Sequence, residues 1–216
     1  MKSWLSINED LPPINFEGDS SFRFPEQLVE IILNEFSKPG DHVLDPFCGF
    51  GTTLVVCAKM NRVGVGFEKK RTIFEFARRA VKPPNRIYND NAENIDKYSF
   101  PLFDLLLCSP PFRSFRDNVL LDIETYYHDL LNIFKHIRPV LKRDAFVIVE
   151  TINLQRSSGI TIPRAFKLMF TLSQLFEFEK EYICCNTSDS QIAEGYHHSY
   201  LMVFRNRPSI KESTRM

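Results

Sequence analysis

Apolar positions along the chain follow two alternating patterns, which predict strands and helices in turn. Short apolar runs predict buried strands, and longer stretches with apolar residues at every third or fourth position predict amphipathic helices. The predicted strands cover residues 42–45, 63–68, 86–90, 103–108, 146–150, 180–184 and 200–204. Because helical stretches alternate with these strands, we predict an α/β fold with a doubly wound, seven-stranded, mostly parallel sheet that ends in an antiparallel hairpin.

The length of 216 residues suits one domain with a sizeable core. We assign residues 22–206 to this domain, residues 1–21 to an N-terminal arm and residues 207–216 to a C-terminal tail. The arm contains several acidic residues, two adjacent prolines and a glycine, so we predict that it is irregular. The tail is basic.

Composition and charge narrow the class of protein. Lys+Arg and Asp+Glu both number 27, so any contact with a polyanion would need a local basic patch. The five cysteines lack metal-like spacing, which indicates reduced thiols and a cytoplasmic location. No apolar run approaches the length of a membrane span and the N-terminus does not resemble a signal peptide, so we expect no contact with a membrane.

The stretch that follows the first predicted strand offers the clearest candidate chemistry. Asp45 ends the strand, Gly49 and Gly51 form a tight turn, and Thr52 and Thr53 begin a helix. Glycines let the backbone turn sharply and let a ligand approach it closely, and a helix N-terminus offers unpaired N–H groups to an anion. This pattern predicts a ligand-binding loop at the carboxyl edge of the sheet.

Two further strand ends bear on the same edge. Glu68 ends the second strand, where an acidic residue commonly accepts hydrogen bonds from ribose hydroxyls. The fourth strand ends in Ser109-Pro110-Pro111-Phe112, and the prolines stop the strand because neither has an N–H to donate. We place the switch point of the sheet between the first and fourth strands, so both loops should face one cleft.

These stretches together resemble the DNA methylase N-4/N-6 family, whose members transfer a methyl group from S-adenosylmethionine to an exocyclic amine of a nucleic-acid base. The motifs are Asp-Pro-Phe-Cys-Gly-Phe-Gly at 45–51 and Ser-Pro-Pro-Phe at 109–112. The resemblance runs from about residue 20 to about residue 206, including the segment at 22–26 and the last strand. It implies a class I, Rossmann-like methyltransferase over residues 22–206.

The resemblance also implies which residues form the site. Asp90 ends the third predicted strand, where the family's third motif supplies a polar contact to the adenine amine of the cofactor, although Asn89 stands where the family usually has glycine. No metal ion is called for, because the histidines lack ligand spacing. The residues expected to bind S-adenosylmethionine are Phe24, Pro25, Asp45, Pro46, Phe47, Gly49, Gly51, Thr52, Thr53, Glu68, Asp90, Asn91 and Ser109.

The catalytic group is expected to be Ser109, Pro110, Pro111 and Phe112. An exocyclic base amine is a poor nucleophile, since its lone pair is delocalised into the ring. Ser109 and the Pro110 carbonyl would accept the amine hydrogens and favour a pyramidal nitrogen, while Phe112 would stack on a base that has left the helix. Serine at the first position favours the N4 amine of cytosine by resemblance, with the N6 amine of adenine as the alternative.

Basic residues concentrate beside these motifs. They predict either a solvated helix face or a phosphate-binding patch made by Lys69, Lys70, Arg78, Arg79, Arg113 and Arg116. The intervals between strands leave no room for a target-recognition domain. Target readout would then come from a partner protein or a homodimer, or the enzyme is loosely specific on DNA, or the substrate is structured RNA such as rRNA. A methyltransferase for small-molecule or protein amines, and a non-catalytic subunit with the same fold, remain as further alternatives.

Overall fold

The computed structural model describes residues 3–8, 14–16, 23–111, 119–155, 161–187 and 198–207. Three of the predicted site residues lie outside this part of the chain, namely Phe112, Arg113 and Arg116.

The described chain alternates strands and helices, as the apolar pattern predicts. The strands are Trp4–Ile7 (β1), His42–Asp45 (β2), Val63–Phe67 (β3), Arg86–Tyr88 (β4), Phe103–Cys108 (β5), Leu141–Thr151 (β6), Leu154–Gln155 (β7), Thr161–Ile162 (β8), Glu177–Asn186 (β9) and His198–Arg205 (β10). The α-helices are Glu26–Phe36 (α1), Thr52–Lys59 (α2), Arg71–Ala77 (α3), Val119–Ile137 (α4) and Arg164–Leu172 (α5), with 3-10 turns at Ala92–Lys97 and Arg138–Val140.

The main sheet has the order β1-β9-β10-β6-β5-β2-β3-β4, and β7 and β8 form a separate two-stranded hairpin. Strands β6, β5, β2, β3 and β4 pair in parallel, and β10 pairs antiparallel with both β6 and β9. The predicted doubly wound, mostly parallel sheet with a C-terminal antiparallel hairpin is therefore confirmed.

The N-terminal segment departs from the prediction of an irregular arm. Residues Trp4–Ile7 form an edge strand parallel to β9, with Trp4 opposite Ile183, and Ile7 is buried. The main sheet thus has eight strands among the described residues rather than seven. The irregular arm was the wrong prediction for these four residues, because a pairing with a strand at the other end of the chain leaves no local signal.

The end of α4 also differs from its predicted position. The apolar stripe predicts a helix over residues 124–141, but α4 ends at Ile137 and β6 begins at Leu141. Pro139 lies in the 3-10 turn between them and cannot donate the backbone hydrogen bond that a continuing helix needs. The apolar Leu141 therefore belongs to the strand.

Helices cover both faces of the sheet. On one face α4 and α5 pack with Phe134 and Leu168 against Leu106 and Phe204. On the other face the core includes α1, α2 and β1. Among the described residues, no helix is both long enough and apolar enough to cross a membrane.

One close helix contact depends on glycine. Gly64 and Gly66 of β3 lie beneath α2, and a Cβ on Gly66 would stand 2.7 Å from Leu54 Cδ1 and 2.8 Å from Cys48 Cβ. Any larger side chain at Gly66 would push α2 and the preceding loop away from the sheet. The two glycines therefore allow α2 and the preceding loop to lie close to β3.

Candidate functional site

The loop between β2 and α2 turns through two glycines in the left-handed region. Gly49 has a φ of 50° and Gly51 a φ of 84°, a region that favours glycine. A Cβ on Gly51 would lie 3.1 Å from Val81 Cγ2, so the loop packs against the chain after α3 there. A Cβ on Gly49 would meet only Phe47 O, at 4.0 Å, among the described residues. The backbone at Gly49 is therefore open to close approach by a ligand.

Asp45 sits buried at the base of this loop. Its Oδ1 accepts a hydrogen bond of 3.1 Å from the backbone N–H of Phe47. Burial raises the pKa of the Asp45 carboxyl to about 7, against the opposing effects of Thr53 and the Phe47 N–H. The Thr53 hydroxyl is close enough to favour the charged carboxylate, but it falls short of hydrogen-bond geometry. Its buried Oγ1 has no hydrogen-bond partner among the described residues.

Glu68 faces the same loop from the end of β3. Its Oε1 accepts a 2.6 Å hydrogen bond from the backbone N–H of Lys70, and the loop docks on β3 through a 3.0 Å bond from Cys48 N to Phe67 O. Burial raises the pKa of Glu68, whereas the backbone N–H groups of Lys70 and Gly49 favour its charged form. The acidic end of β3 and Gly49 are thus neighbours, as the sequence predicts.

Asp90 and Asn91 follow β4, and their hydrogen bonds order the turn after this strand. Asp90 accepts hydrogen bonds from Asn94 Nδ2, Asn91 N and Tyr98 Oη at 2.7, 2.7 and 2.9 Å. The bond from Asn94 contributes most to lowering the pKa of Asp90. Asn91 caps the following 3-10 turn through Glu93 N. A contact of Asp90 or Asn91 with a cofactor stays a prediction.

Asn89 ties this turn to the previous strand. Its Nδ2 donates to Glu68 O at 2.8 Å and to Lys69 O at 3.3 Å. Glycine at this position, as in the family pattern, would have no side chain to make these bonds. The departure at Asn89 therefore has a structural role beside Glu68.

Other predicted cofactor residues surround the loop less closely. Pro46 is buried and Thr52 opens α2, while the Phe47 ring lies 6.5 Å from the Phe134 ring. Phe24 packs against the α1–α2 core and Pro25 precedes α1. The first residue of α1, Glu26, pairs with Lys59 in the last turn of α2, the turn farthest from the glycine loop. A cofactor role for Phe24 and Pro25 stays a prediction.

Ser109 emerges from β5, the strand beside β2. The two strands pair in parallel with Leu44 opposite Leu106, so their carboxyl ends reach the same edge of the sheet. Pro110 is buried and Pro111 is exposed. Ser109 Oγ donates a 2.7 Å hydrogen bond to Glu150 Oε2. The structure therefore brings the glycine loop and the start of the Ser-Pro-Pro-Phe motif to one edge.

Glu150, near the end of β6, is a site residue that the sequence analysis missed. Burial raises the pKa of this carboxyl, while hydrogen bonds from Ser109 and Ser199 and the charge of Arg164 oppose the rise. The signal was available, because Glu150 ends an apolar strand in the same way as Asp45 and Glu68. Only the sheet order, however, shows that β6 lies next to β5.

Aromatic side chains cover the outer side of the glycine loop. The rings of Phe16, Phe50 and Phe76 pack edge to face in a triangle, with centroids 5.0, 5.6 and 5.6 Å apart. Because Phe76 belongs to α3, this helix lies directly on the loop.

The basic residues on and near α3 differ in their partners. Arg71 and Arg78 both form ion pairs with Glu75. Lys69, Lys70 and Arg79 are exposed. Of the predicted phosphate contacts on this helix, Arg78 is therefore partly neutralised.

Two cavities lie elsewhere, along α5. A cavity of about 510 Å³ between α4 and α5 is lined by Tyr127, Leu131, Phe166 and Phe170 among others. It contains none of the strand-end carboxylates described above. Its lining also includes Glu124, His128 and Lys167, but it contains no glycine loop, so we assign the candidate site to the sheet edge.

Part of the sequence that includes the glycine loop is similar to known methyltransferases. Residues 13–79 match the DNA methylase family model N6_N4_Mtase. The type II methyltransferase M2.DpnII of Streptococcus pneumoniae is 38% identical over 61 residues, which are 28% of this chain and 23% of that protein. The chain spans less than a quarter of the length of the curated relatives that it matches first.

Solved structures share the fold at low sequence identity. TrmN from Thermus thermophilus superposes with a TM-score of 0.62 at 18% identity, over 84% of this chain and 49% of that one. The magnesium protoporphyrin IX methyltransferase ChlM from Synechocystis PCC 6803, whose structure contains bound SAM, gives 0.56 at 11% identity over 84% and 79% of the two chains. These matches confirm the class I methyltransferase fold.

Proposed function

We propose that the chain is an S-adenosylmethionine-dependent methyltransferase that modifies an exocyclic base amine of nucleic acid, since residues 13–79 match the DNA methylase family model. The observation that supports this most strongly is the shared edge of β2 and β5. There a glycine loop between two carboxylates, Asp45 and Glu68, lies beside Ser109. Both halves of a methyl transfer, cofactor binding and amine activation, have candidate residues at this edge.

The residues of the loop fit the proposed cofactor. Gly49 leaves its backbone open, and the buried Thr53 hydroxyl has no hydrogen-bond partner among the described residues, so polar groups remain for a ligand. Glu68 has the position expected of an acceptor for ribose hydroxyls. S-adenosylmethionine supplies an electrophilic methyl group on a sulfonium centre when bound. The loop residues bind and orient the cofactor, and other groups must activate the substrate amine.

Ser109 and the Pro110 carbonyl are the proposed activating groups. As the nitrogen becomes pyramidal, its hydrogens turn toward acceptors, and two preorganised oxygens stabilise that geometry more than the planar ground state. The φ of proline is fixed, so the Pro110 carbonyl needs little reorganisation. Phe112 completes the proposal as the stacking surface for an unpaired base.

The proposed substrate is the N4 amine of cytosine in DNA, which gives N4-methylcytosine. The match of residues 13–79 to the DNA methylase family model supports DNA, and the serine of Ser-Pro-Pro-Phe supports cytosine by resemblance. Phosphates would contact Lys69, Lys70, Arg79, Arg113 and Arg116, with Arg78 contributing less because of Glu75. Target readout would come from a partner protein or a second copy of the chain. A cytoplasmic location belongs to the same proposal and is supported by the five cysteines, all free thiols in the described chain.

The proposal is tested by calorimetry with S-adenosylmethionine and by mass spectrometry of nucleosides from cells with and without the gene. We expect saturable cofactor binding and a loss of N4-methylcytosine from DNA when the gene is deleted. If the deletion instead removes N6-methyladenine, or a methylated base from rRNA alone, the proposed reaction is correct and the proposed substrate is wrong. Absence of cofactor binding would contradict the proposal as a whole.

A further inference from the structure

Glu150 contacts the proposed catalytic serine, although no motif includes it. Its Oε2 accepts the hydroxyl proton of Ser109 at 2.7 Å, from the neighbouring strand β6. A serine hydroxyl has one proton and two lone pairs. When that proton points to Glu150, the side of Ser109 Oγ that faces the cleft can only accept hydrogen bonds.

The carboxylate is itself held in place. Ser199, which is 2% exposed on β10, and the 4% exposed Arg164 at the start of α5 both favour the charged form of Glu150. Cys108 and Cys184 also lie within electrostatic reach of Glu150. Groups from β5, β9, β10 and α5 therefore surround this side chain, so its environment is set by the packing of the sheet and not by its own strand alone.

We propose that Glu150 is a positioning residue for methyl transfer, which holds the Ser109 proton so that Ser109 Oγ accepts a hydrogen from the substrate amine. The inference rests on the proposed function and extends it to a residue outside the motifs. It also gives a reason for substrate choice. A serine locked as an acceptor is complementary to an amino group, as in cytosine or adenine, and not to a carbonyl oxygen, as in thymine or uracil.

The charge of Glu150 is essential to this role. A protonated Glu150 can donate to Ser109 Oγ and release the serine proton toward the cleft, where it would oppose an amine hydrogen. Because burial raises the pKa of Glu150, its loss of charge falls closer to neutral pH than for an exposed glutamate. Methyl transfer should therefore slow as the pH falls through the raised pKa of Glu150.

The test is single-turnover methyl transfer by the full chain with Glu150→Gln, which preserves shape and removes charge. We expect a rate about 10- to 100-fold lower, the usual effect of removing a group that orients a catalytic one, with unchanged calorimetric affinity for S-adenosylmethionine. The matched control is Glu179→Gln, since Glu179 lies at the opposite end of the sheet and pairs with Arg205. The control should keep the full rate.

Two readouts separate positioning from support of the fold. In a Ser109→Ala background, Glu150→Gln should cost nothing further, because the group that it orients is gone. The acid limb of the pH–rate profile should be present in the unsubstituted chain and in Glu150→Asp, and absent in Glu150→Gln. A flat profile in the unsubstituted chain, or additive losses in the double variant, would overturn the inference even if Glu150→Gln folds poorly.

Failure of the inference and failure of the proposed function give different results. If the unsubstituted chain methylates nucleic acid and Glu150→Gln does so at the same rate, Glu150 has no positioning role and the proposed function remains. If the unsubstituted chain binds no S-adenosylmethionine and transfers no methyl group, the proposed function is wrong and the inference is overturned with it.

Discussion

The two halves of the candidate site are organised in opposite ways. Around the glycine loop several hydrogen bonds join residues two positions apart, such as Phe47 N to Asp45 and Lys70 N to Glu68, and the longer bond from Cys48 N to Phe67 O stays within the β2–α2–β3 unit. Around Ser109 the decisive bond joins residues 41 positions apart, Ser109 and Glu150. The glycine-loop half is thus built from one continuous stretch of the chain, from β2 to the turn after β4, whereas the Ser109 half exists only once β5, β6 and β10 have paired.

This difference predicts which substitutions affect cofactor binding and which affect turnover. Changes in the glycine loop should act on cofactor binding, because the loop is a local scaffold for one ligand. Changes around Ser109 should act on turnover, because that network adjusts the chemistry of one hydroxyl.

Gly49→Val should abolish measurable binding of S-adenosylmethionine in calorimetry. The new side chain would fill the open space above the loop, and a β-branched residue at a φ of 50° adds strain of about 1–3 kcal/mol. Gly40→Val is the matched control, since Gly40 also has a positive φ and no atom within 4 Å of its Cβ position, but lies in the turn before β2. The control should lose stability and keep cofactor affinity. Equal loss of affinity in both would mean that strain alone explains the effect.

Ser109→Ala should slow single-turnover methyl transfer by about 10²–10³-fold, by analogy with the loss of one oxyanion-hole donor. Activity should remain, because the Pro110 carbonyl is still present. Cofactor affinity should not change, and calorimetry checks this directly. If the variant loses cofactor affinity and keeps its rate of methyl transfer, Ser109 belongs with the cofactor-binding residues. That result would contradict the division between the two halves of the site.

Phe112→Ala should weaken capture of the base by about 1–3 kcal/mol, the usual worth of stacking one base on an aromatic ring. Phe112→Tyr serves as the control and should be nearly neutral, since the ring face is kept. The measurement is the affinity for a short single-stranded DNA with cofactor analogue present. If the alanine and tyrosine variants bind DNA equally, Phe112 does not stack on the substrate.

Binding of nucleic acid should weaken steeply as salt is raised, because the chain has no net charge and depends on a local patch. Replacing Lys69 and Lys70 together by Gln should reduce the slope of log affinity against log salt by about 1–2, or roughly 0.7–0.9 per phosphate contact. Arg71→Gln should change the slope less, since Arg71 is paired with Glu75. A slope near zero in the unsubstituted chain would remove the patch from the account.

The last prediction concerns protein stability and involves pH and Asp45. Its folded pKa of about 7 lies above the usual value, so the folded chain binds a proton that the unfolded chain releases between about pH 4 and 7. This group therefore lowers the free energy of unfolding as the pH rises through that window. Asp45→Asn should flatten the corresponding part of the stability–pH curve measured by denaturant unfolding. An unchanged curve would mean that Asp45 is hydrated in solution.

The same division explains how far the sequence could predict the molecule. Periodicity and glycine chemistry were enough for α1, β2, the glycine loop, β3 and β5, because each depends on neighbouring residues. Glu68 beside Gly49 was predictable from the general rule that parallel strands of such a sheet end at the same edge. The placement of Ser109 at the same edge needed only the general rule for parallel sheets.

What could not be predicted depends on pairing between distant segments. The edge strand β1 forms only because β9 offers it a partner, and its own residues read as an irregular arm. Glu150 has an ordinary strand-end signal, yet its contact with Ser109 follows from β6 lying next to β5. The need for glycine at Gly66 likewise comes from α2 and the glycine loop lying above it, not from its own strand.

The central claim is that one sheet edge binds S-adenosylmethionine and presents Ser109 to a base amine. The most direct test incubates the purified chain with methyl-labelled S-adenosylmethionine and either single-stranded DNA or rRNA, and digests each product to nucleosides. The account predicts label in N4-methylcytosine, at a rate that Ser109→Ala lowers about 10²–10³-fold. Label in no nucleoside of DNA or of rRNA, from a chain that binds the cofactor, would contradict it.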